Sequence, residues 1–405
     1  MTSLDRLRRL LREISPENRF YAPRLAAAGL ANGVGSLEEF VARMPFTTKA
    51  ELVADQAAHP PYGSNLTFPL ECYSRFCQTS GTTARPLAVL DTAESWAWML
   101  GNWEHIYRAA EVTPGDRVYF AFSFGPFLGF WTAFDAAAKL GALCIPGGGL
   151  GTSARLRAIV EHRATVLCCT PTYALHLAET AARENFDLGA SAVRTIIVAG
   201  EPGGSIPAVR SRIRSAWENA RVVDHYGLTE IGPAAFEDPD QEGALRIIES
   251  SYFAEIIDPA SGQQGAPDAV GELVLTTLGR TAWPLLRYRT GDLVKRLVAA
   301  PGFVLEGGII GRSDDMIVVR GVNLYPSAID AVVRSIPEIT EYRVQVGQRG
   351  ALSEVAVEIE CEGDAEVSAL ASAFTDAFSL RIPVRRVAAG TLPRFELKAR
   401  RWVQI

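Results

Sequence analysis

Three changes of pattern along the sequence predict an α/β protein with a large N-terminal domain of βαβ sheets, a β-rich subdomain, and a small α+β C-terminal domain. From about residue 90 to residue 226, short apolar runs alternate with helix-length segments; to about 310, β-rich runs follow one another; from Gly311, a compact mixed unit begins. A chain of 405 residues exceeds one ordinary core. With 48% hydrophobic and 21% charged residues it reads as globular.

Residues 1–75 read as helices and loops. Leu4, Leu7, Leu10 and Leu11 recur at helical spacing in a basic stretch without a signal-peptide apolar core, which predicts a docked surface helix. Ser36-Leu37-Glu38-Glu39-Phe40 reads as a helix start, and Pro45-Phe46-Thr47-Thr48-Lys49 as a turn into another helix. No apolar run reaches membrane-spanning length.

Strand-like runs Val118–Phe122, Ala142–Ile145, Thr165–Cys169, Thr195–Ala199 and Val222–Tyr226 alternate with helical segments such as Phe130–Leu140 and Ser153–His162. This rhythm implies parallel strands covered on both faces. Loops rich in glycine and proline follow several strands: Ser123–Pro126, Pro146–Gly149 and Gly200–Gly203. Ligands of open α/β sheets sit beyond the strands' carboxyl ends, so these loops are where a site belongs.

After Glu230, the runs Arg246–Ile248, Phe253–Ile257, Glu272–Thr276, Leu285–Tyr288 and Phe303–Leu305 predict a smaller barrel or curled sheet. The final unit reads as strand Met316–Val319, helix Ser327–Ser335, strands Tyr342–Val346 and Val355–Ile359, and helix Val367–Phe378. The boundary is set at Arg312–Asp314, giving domains 1–311 and 312–405.

A net charge of −6 offers no broad basic field and argues against a nucleic-acid partner. Six cysteines without a CxxC pair, mostly in apolar company, suit buried thiols in a reducing cytosol and predict a cytoplasmic protein. The five histidines show no metal spacing. Only four lysines stand among the 40 basic residues, at 49, 139, 295 and 398, so each is more informative than usual.

The stretch Gln78-Thr79-Ser80-Gly81-Thr82-Thr83-Ala84-Arg85-Pro86 can wrap hydroxyl and backbone donors around phosphate oxygens. It lacks the Gly-Lys-Ser/Thr of a Walker loop, and by itself reads equally as a solvated turn. Its company is Tyr226-Gly227-Leu228-Thr229-Glu230, Tyr288-Arg289-Thr290-Gly291-Asp292, Gly311-Arg312-Ser313-Asp314-Asp315 and Lys398. Singly, each has a plain reading: a polar turn after a strand, a turn aspartate, a solvated hinge, one charge in a basic tail. As an ordered set from Pro45-Phe46-Thr47-Thr48-Lys49 to Lys398, they resemble the adenylate-forming ligase superfamily and, within it, the phenylacetate–CoA ligase-like branch.

The resemblance implies a role for each. Thr79, Ser80, Gly81, Thr82, Thr83 and Arg85 would grip the β/γ-phosphates of ATP. Gly200, Glu201 and Pro202 would read the adenine edge, and Tyr226 with Gly227 would carry the base. Thr229 would meet the α-phosphate, Glu230 would ligate Mg2+, and Asp292 would accept the ribose hydroxyls. Arg312 would reach phosphate or ribose. Asp314 would be the pivot, Gly321 would line the thiol tunnel, and Lys398 would bridge the substrate carboxylate and the α-phosphate. Phe124, Phe127, Ala199 and Gly148 are the candidate acyl pocket, although aromatic clusters also build cores. Many members carry a cysteine/histidine zinc site after the Thr-Glu segment; residues 235–252 hold neither type, so no zinc is expected. Ala84-Arg85 and Leu397 stand where the family usually shows Gly-Lys and glycine.

The implied reaction is ATP-dependent activation of a carboxylic acid, aryl or arylacetic, as acyl-AMP with pyrophosphate release, then transfer to the thiol of CoA. Two alternatives remain open at this point. One is adenylation followed by transfer to carrier-protein pantetheine or a nitrogen nucleophile; the other is a nucleotide-binding module without turnover. A monomer and a homodimer are both compatible with the sequence.

Overall fold

The computed structural model describes residues 1–79, 85–218, 220–319, 322–349, 352–395 and 400–405. Four helices come first: α1 (Ser3–Ile14), α2 (Ala22–Ala27), α3 (Leu37–Arg43) and α4 (Lys49–Ala58). α1 starts in a capping box between Thr2 and Asp5, and buries Leu7, Leu10, Leu11 and Ile14. At about 1.5–3 kcal/mol per fully buried aliphatic side chain, this docked face offsets a substantial part of the cost of ordering the helix. α3 and α4 are capped by Ser36 and Thr48. A hairpin, β1 (Tyr73–Gln78) and β2 (Ala88–Thr92), leads into α5 (Ala93–Ala109).

The βαβ rhythm then appears as β3 (Arg117–Phe120), α6 (Leu128–Leu140), β4 (Leu143–Pro146), α7 (Thr152–Glu161), β5 (Val166–Cys169), α8 (Pro171–Arg183), β6 (Thr195–Val198), α9 (Pro207–Ala216) and β7 (Arg221–Leu228). These strands pair in parallel in the order β7-β6-β5-β3-β4. Alternate side chains feed two separate cores, as a period of two requires. Tyr119, Leu167, Ile196 and Val222 pack with Leu156, Leu177 and Ile213, from α7, α8 and α9. Val118, Val166, Ile197 and Val223 pack with Trp103, Ile106 and Ala137, from α5 and α6.

The β-rich runs, expected as one smaller barrel or curled sheet, divide between two sheets. β8 (Gly232–Glu237), β9 (Leu245–Ile247) and β13 (Val304–Leu305) extend the parallel sheet antiparallel from β7, making eight strands. A second, four-stranded sheet runs in the order β10 (Tyr252–Ile257), β11 (Val270–Thr277), β12 (Tyr288–Lys295) and β14 (Gly311–Arg312). The strand expected at Leu285–Tyr288 begins only at Tyr288. Leu285 and Leu286 are fully buried just before it; their apolar character reflects burial rather than sheet pairing.

The small lobe holds β15 (Ile317–Val319), β16 (Val322–Leu324), α10 (Pro326–Arg334), β17 (Glu341–Arg349), β18 (Leu352–Glu360), α11 (Ala365–Phe378), β19 (Val384–Val387) and β20 (Trp402–Gln404). Its sheet runs β19-β18-β17-β20, and its own core includes Ile329, Val344, Val357, Ile359, Leu370 and Phe374. Among the described residues, no helix is long and apolar enough to cross a membrane.

Candidate active site

The site is assembled at the carboxyl edge of the parallel sheet, where β7 and β12 deliver a set of joined polar groups. The Tyr226 hydroxyl donates to Asp292 Oδ2 at 2.6 Å. Arg312 Nη1 donates to Asp292 Oδ1 at 3.1 Å, and its Nε donates to Asp314 Oδ1 at 2.8 Å. Asp292 therefore lies inside a strand, buried and paired with Arg312 across the ladder, and is not a loose turn aspartate. Gly291 makes this possible. It sits at φ 75°, and a Cβ there would come 2.8 Å from Arg312 Nη2.

Glu230, in the turn between β7 and β8, is also buried. Its Oε1 accepts from the Tyr288 hydroxyl at 2.8 Å and lies 3.5 Å from Lys49 Nζ. Its carbonyl accepts from Arg280 Nη1 at 2.7 Å, while Arg280 Nε donates to Asp91 Oδ1 at 2.7 Å. Burial, with the facing carboxylates adding to it, holds both the Tyr226 and Tyr288 phenols well above their ordinary value, so both remain donors. Gly227 admits the neighbouring strand: a Cβ there would lie 2.6 Å from the Gly232 carbonyl. Thr229 stands half-buried in the same turn.

β6 and β7 are adjacent and in register, so Ala199, Gly200, Glu201 and Pro202 leave the sheet beside Tyr226. Glu201 Oε1 accepts the Thr172 N–H at 2.9 Å, which ties this loop to the first turn of α8. Behind the edge, Asp224 accepts from Ser205 at 2.6 Å, and Glu237 accepts from the Asp224 N–H at 2.7 Å. Burial pushes the Asp224 carboxyl up to about 7, with Glu237 adding to it. His225 packs its ring edge-on against Trp103 at 4.6 Å.

The aromatic candidates cluster at the ends of β3 and β4. Phe124 lies 4.9 Å from Trp131 and 5.4 Å from both Phe122 and Phe134, and Phe122 stacks on Phe130 at 4.1 Å. Phe127 meets Phe130 at 5.8 Å. A Cβ on Gly148 would already touch the Phe124 ring at 3.4 Å, so this glycine lets the loop after β4 pack close against it. Phe124, Phe127 and Gly148 are thus brought together. Ala199 lies across β5 from them, about 10 Å away at ordinary strand spacing.

Thr79 closes the base of the hairpin: its N–H donates to the Leu87 carbonyl at 3.1 Å, and its Oγ1 accepts the Leu87 N–H at 3.0 Å. Gln78 N–H donates to the Pro126 carbonyl at 2.7 Å, which fastens this hairpin to the aromatic loop. Arg85 follows, exposed. Ser80, Gly81, Thr82, Thr83, Gly321 and Lys398 lie outside the described residues. Asp314 is exposed and joined to Arg312. Lys49 and Tyr288 were not singled out in the sequence as site residues. The scarcity of lysine was the one signal for Lys49; Tyr288 had only its place in the Tyr-Arg-Thr-Gly-Asp run. Among the described residues, no group of three or more histidine, cysteine, aspartate or glutamate side chains is placed to hold a metal.

The chain matches the model of AMP-binding enzymes over residues 73–279, and that of the AMP-binding enzyme C-terminal domain over residues 321–404. It belongs to the AMP-binding enzyme family. Within that family it is 31% identical to the phenylacetate-coenzyme A ligase of Pseudomonas putida, over 98% of this chain and 92% of that protein. It is 32% identical to the phenylacetate-coenzyme A ligase of Thermus thermophilus, over 88% of this chain and 80% of that protein. A 2-hydroxyisobutyryl-CoA ligase, 28% identical, superposes with a TM-score of 0.93 in its postadenylation state with 2-HIB-AMP, covering 100% of this chain and 89% of that one. The same relative in its thioesterification state with 2-HIB-AMP and CoA gives 0.74, over 99% of this chain and 88% of that one. The sequence match is equal in the two cases, so the difference is one of conformation. The two lobes here are arranged as in the postadenylation state.

Proposed function

We propose that this protein activates a carboxylic acid as its acyl-adenylate, releasing pyrophosphate from ATP, and then passes the acyl group to the thiol of CoA. The observation that carries this reading is the convergence of Tyr226, Glu230, Asp292 and Arg312 at one sheet edge. Adenylation brings two anions together, so the site must supply donors, cations and in-line placement, with no protein nucleophile. Asp292, held from behind by Tyr226 and Arg312, offers acceptor oxygens to a vicinal diol. The Gly200–Pro202 loop and Tyr226 flank the base, and Thr229 and the hairpin loop take the phosphates.

Glu230 is a buried hard-oxygen donor, facing an ammonium 3.5 Å away that a divalent cation could displace. Glu230 would therefore hold Mg2+, which supplies charge neutralisation at the phosphates when bound. Lys398 brings a positive charge to the α-phosphate and the acid. Rotation of the small lobe about Asp314 then withdraws it and presents Gly321 to the incoming thiol.

The acid is aromatic on this reading, because Phe124, Phe127 and Gly148 give the loops after β3 and β4 an aromatic and small-residue lining. Pyrophosphate exchange over a panel of acids tests both parts. Phenylacetate or benzoate should exchange fastest and 2-hydroxyisobutyrate slowest. Exchange with none of the acids would sink the activity, and a preference for the small hydroxy acid would sink the aromatic pocket.

A further inference from the structure

We propose that Glu179 and Arg394 form the catch that holds the small lobe against the large lobe for acyl-adenylate formation, and that releases it for thioester formation. This rests on the function proposed above. Arg394 and Arg401 bracket Lys398 in the sequence, and both cross to a single helix of the large lobe. Arg394 Nε lies 3.5 Å from Glu179 Oε2, and Arg401 Nη1 donates to Thr172 Oγ1 at 3.3 Å. Thr172 and Glu179 stand two turns apart on α8, so they share a face.

Each arginine is aimed from its own lobe by a buried carboxylate. Arg394 Nη2 donates to Glu360 Oε2 at 2.8 Å; the Glu360 carboxylate also accepts the N–H groups of Gly390 at 3.0 Å and Leu392 at 2.6 Å. Glu360 is fully buried and is a fixed post. Arg401 makes two bonds to Glu341, at 2.6 and 3.2 Å. Both guanidinium groups are thus pre-set by the small lobe, and reach across with what remains.

The junction is built to part. The Arg394 and Glu179 side chains keep 27% and 33% of their surface in water, so the pair is screened. Beside it, a cleft of about 580 Å3 opens where α8, α9 and α10 meet, lined by Ala178, Glu179, Arg212, Ser215, Arg334 and Pro337. Apart from the two arginine contacts, Arg212 crosses there, donating to the Ile339 carbonyl at 3.1 Å. Polar contacts around a gap separate at far lower cost than a packed apolar interface. The lobes are caught here in the arrangement of a postadenylation state, which is where such a catch should be closed.

The test uses the full chain with Glu179→Gln and, separately, Thr172→Val. Pyrophosphate exchange reports the first half-reaction, consumption of preformed acyl-adenylate by CoA reports the second, and limited proteolysis between the lobes reports opening. Exchange by E179Q should fall about fivefold, the population ratio that a half-exposed ion pair can hold. Consumption of the adenylate should not slow, and cleavage should quicken. Thr172→Val should shift the same readouts in the same direction by less. Wild-type exchange in both variants, or equal slowing of both half-reactions, overturns the catch. If the wild type exchanges with no acid, the function fails instead, and the cleavage comparison still decides whether the pair restrains the lobes.

Discussion

Two arginine–carboxylate pairs mark opposite policies in one molecule. Arg280 and Asp91 meet with 0% and 1% of their side chains exposed, deep in the large lobe. Arg394 and Glu179 meet across the lobe boundary, each about a third wet. The dry pair joins β2 to the segment after β11, and also grips the Glu230 carbonyl. Breaking one half of a dry pair leaves a charge that water cannot reach. Breaking the wet one costs little, because water takes over. The contrast teaches that permanent and releasable junctions are distinguished by hydration, with the same chemistry in both.

The largest effect should come from breaking the dry pair. Arg280→Met should cost about 3–5 kcal/mol in urea unfolding, because it strands Asp91, whereas E179Q should cost under about 1 kcal/mol. Equal losses would erase the distinction. Next, Lys398→Ala should lower pyrophosphate exchange by about 10²–10³-fold while leaving preformed adenylate reactive toward CoA, since a transition-state cation is lost from the first step only. Loss of both steps together would mean the segment serves the fold and not the chemistry.

The smallest effect concerns Asp224, whose carboxyl is raised by burial from 3.8 to about 7. Between those values the native chain keeps a proton that the unfolded chain releases, so stability falls as pH rises through that window. Asp224→Asn should therefore match the wild type near pH 4 and exceed it above pH 7, by about 2 kcal/mol once the Arg210 guanidinium offsets part of the buried charge. A gap that is constant with pH would refute this origin.

The parallel sheet was legible because two periodicities, two and 3.6, alternate cleanly from Val118 to Val223, and both cores obey them. The β-rich part was not. Its short runs carry no partner information, so β9 and β13 read together with β10, β11 and β12 as one barrel or curled sheet, when they extend the main sheet. Tyr226, Glu230, Asp292 and Arg312 were found through a resemblance, and the structure brings Tyr226, Asp292 and Arg312 into hydrogen-bond contact, with Glu230 in the turn that follows β7. The links from Lys49 and Tyr288 to Glu230 were beyond local pattern, because chain folding alone makes them neighbours. The acyl pocket stayed ambiguous for a related reason: Phe122, Phe124 and Phe130 pack on one another as core residues do.

Thr47 pairs with β12, its hydroxyl donating to the Leu286 carbonyl at 2.8 Å, and Arg287 grips the carbonyls of Val41 and Met44 at 2.6 and 2.7 Å. These partners are separated by 239 to 246 residues. During synthesis, the helices around Phe40 and Leu52 must wait for that distant strand to leave the ribosome before their greasy faces find cover. Such a delay leaves the newborn chain open to chaperones, and to clumping, for the greater part of its manufacture.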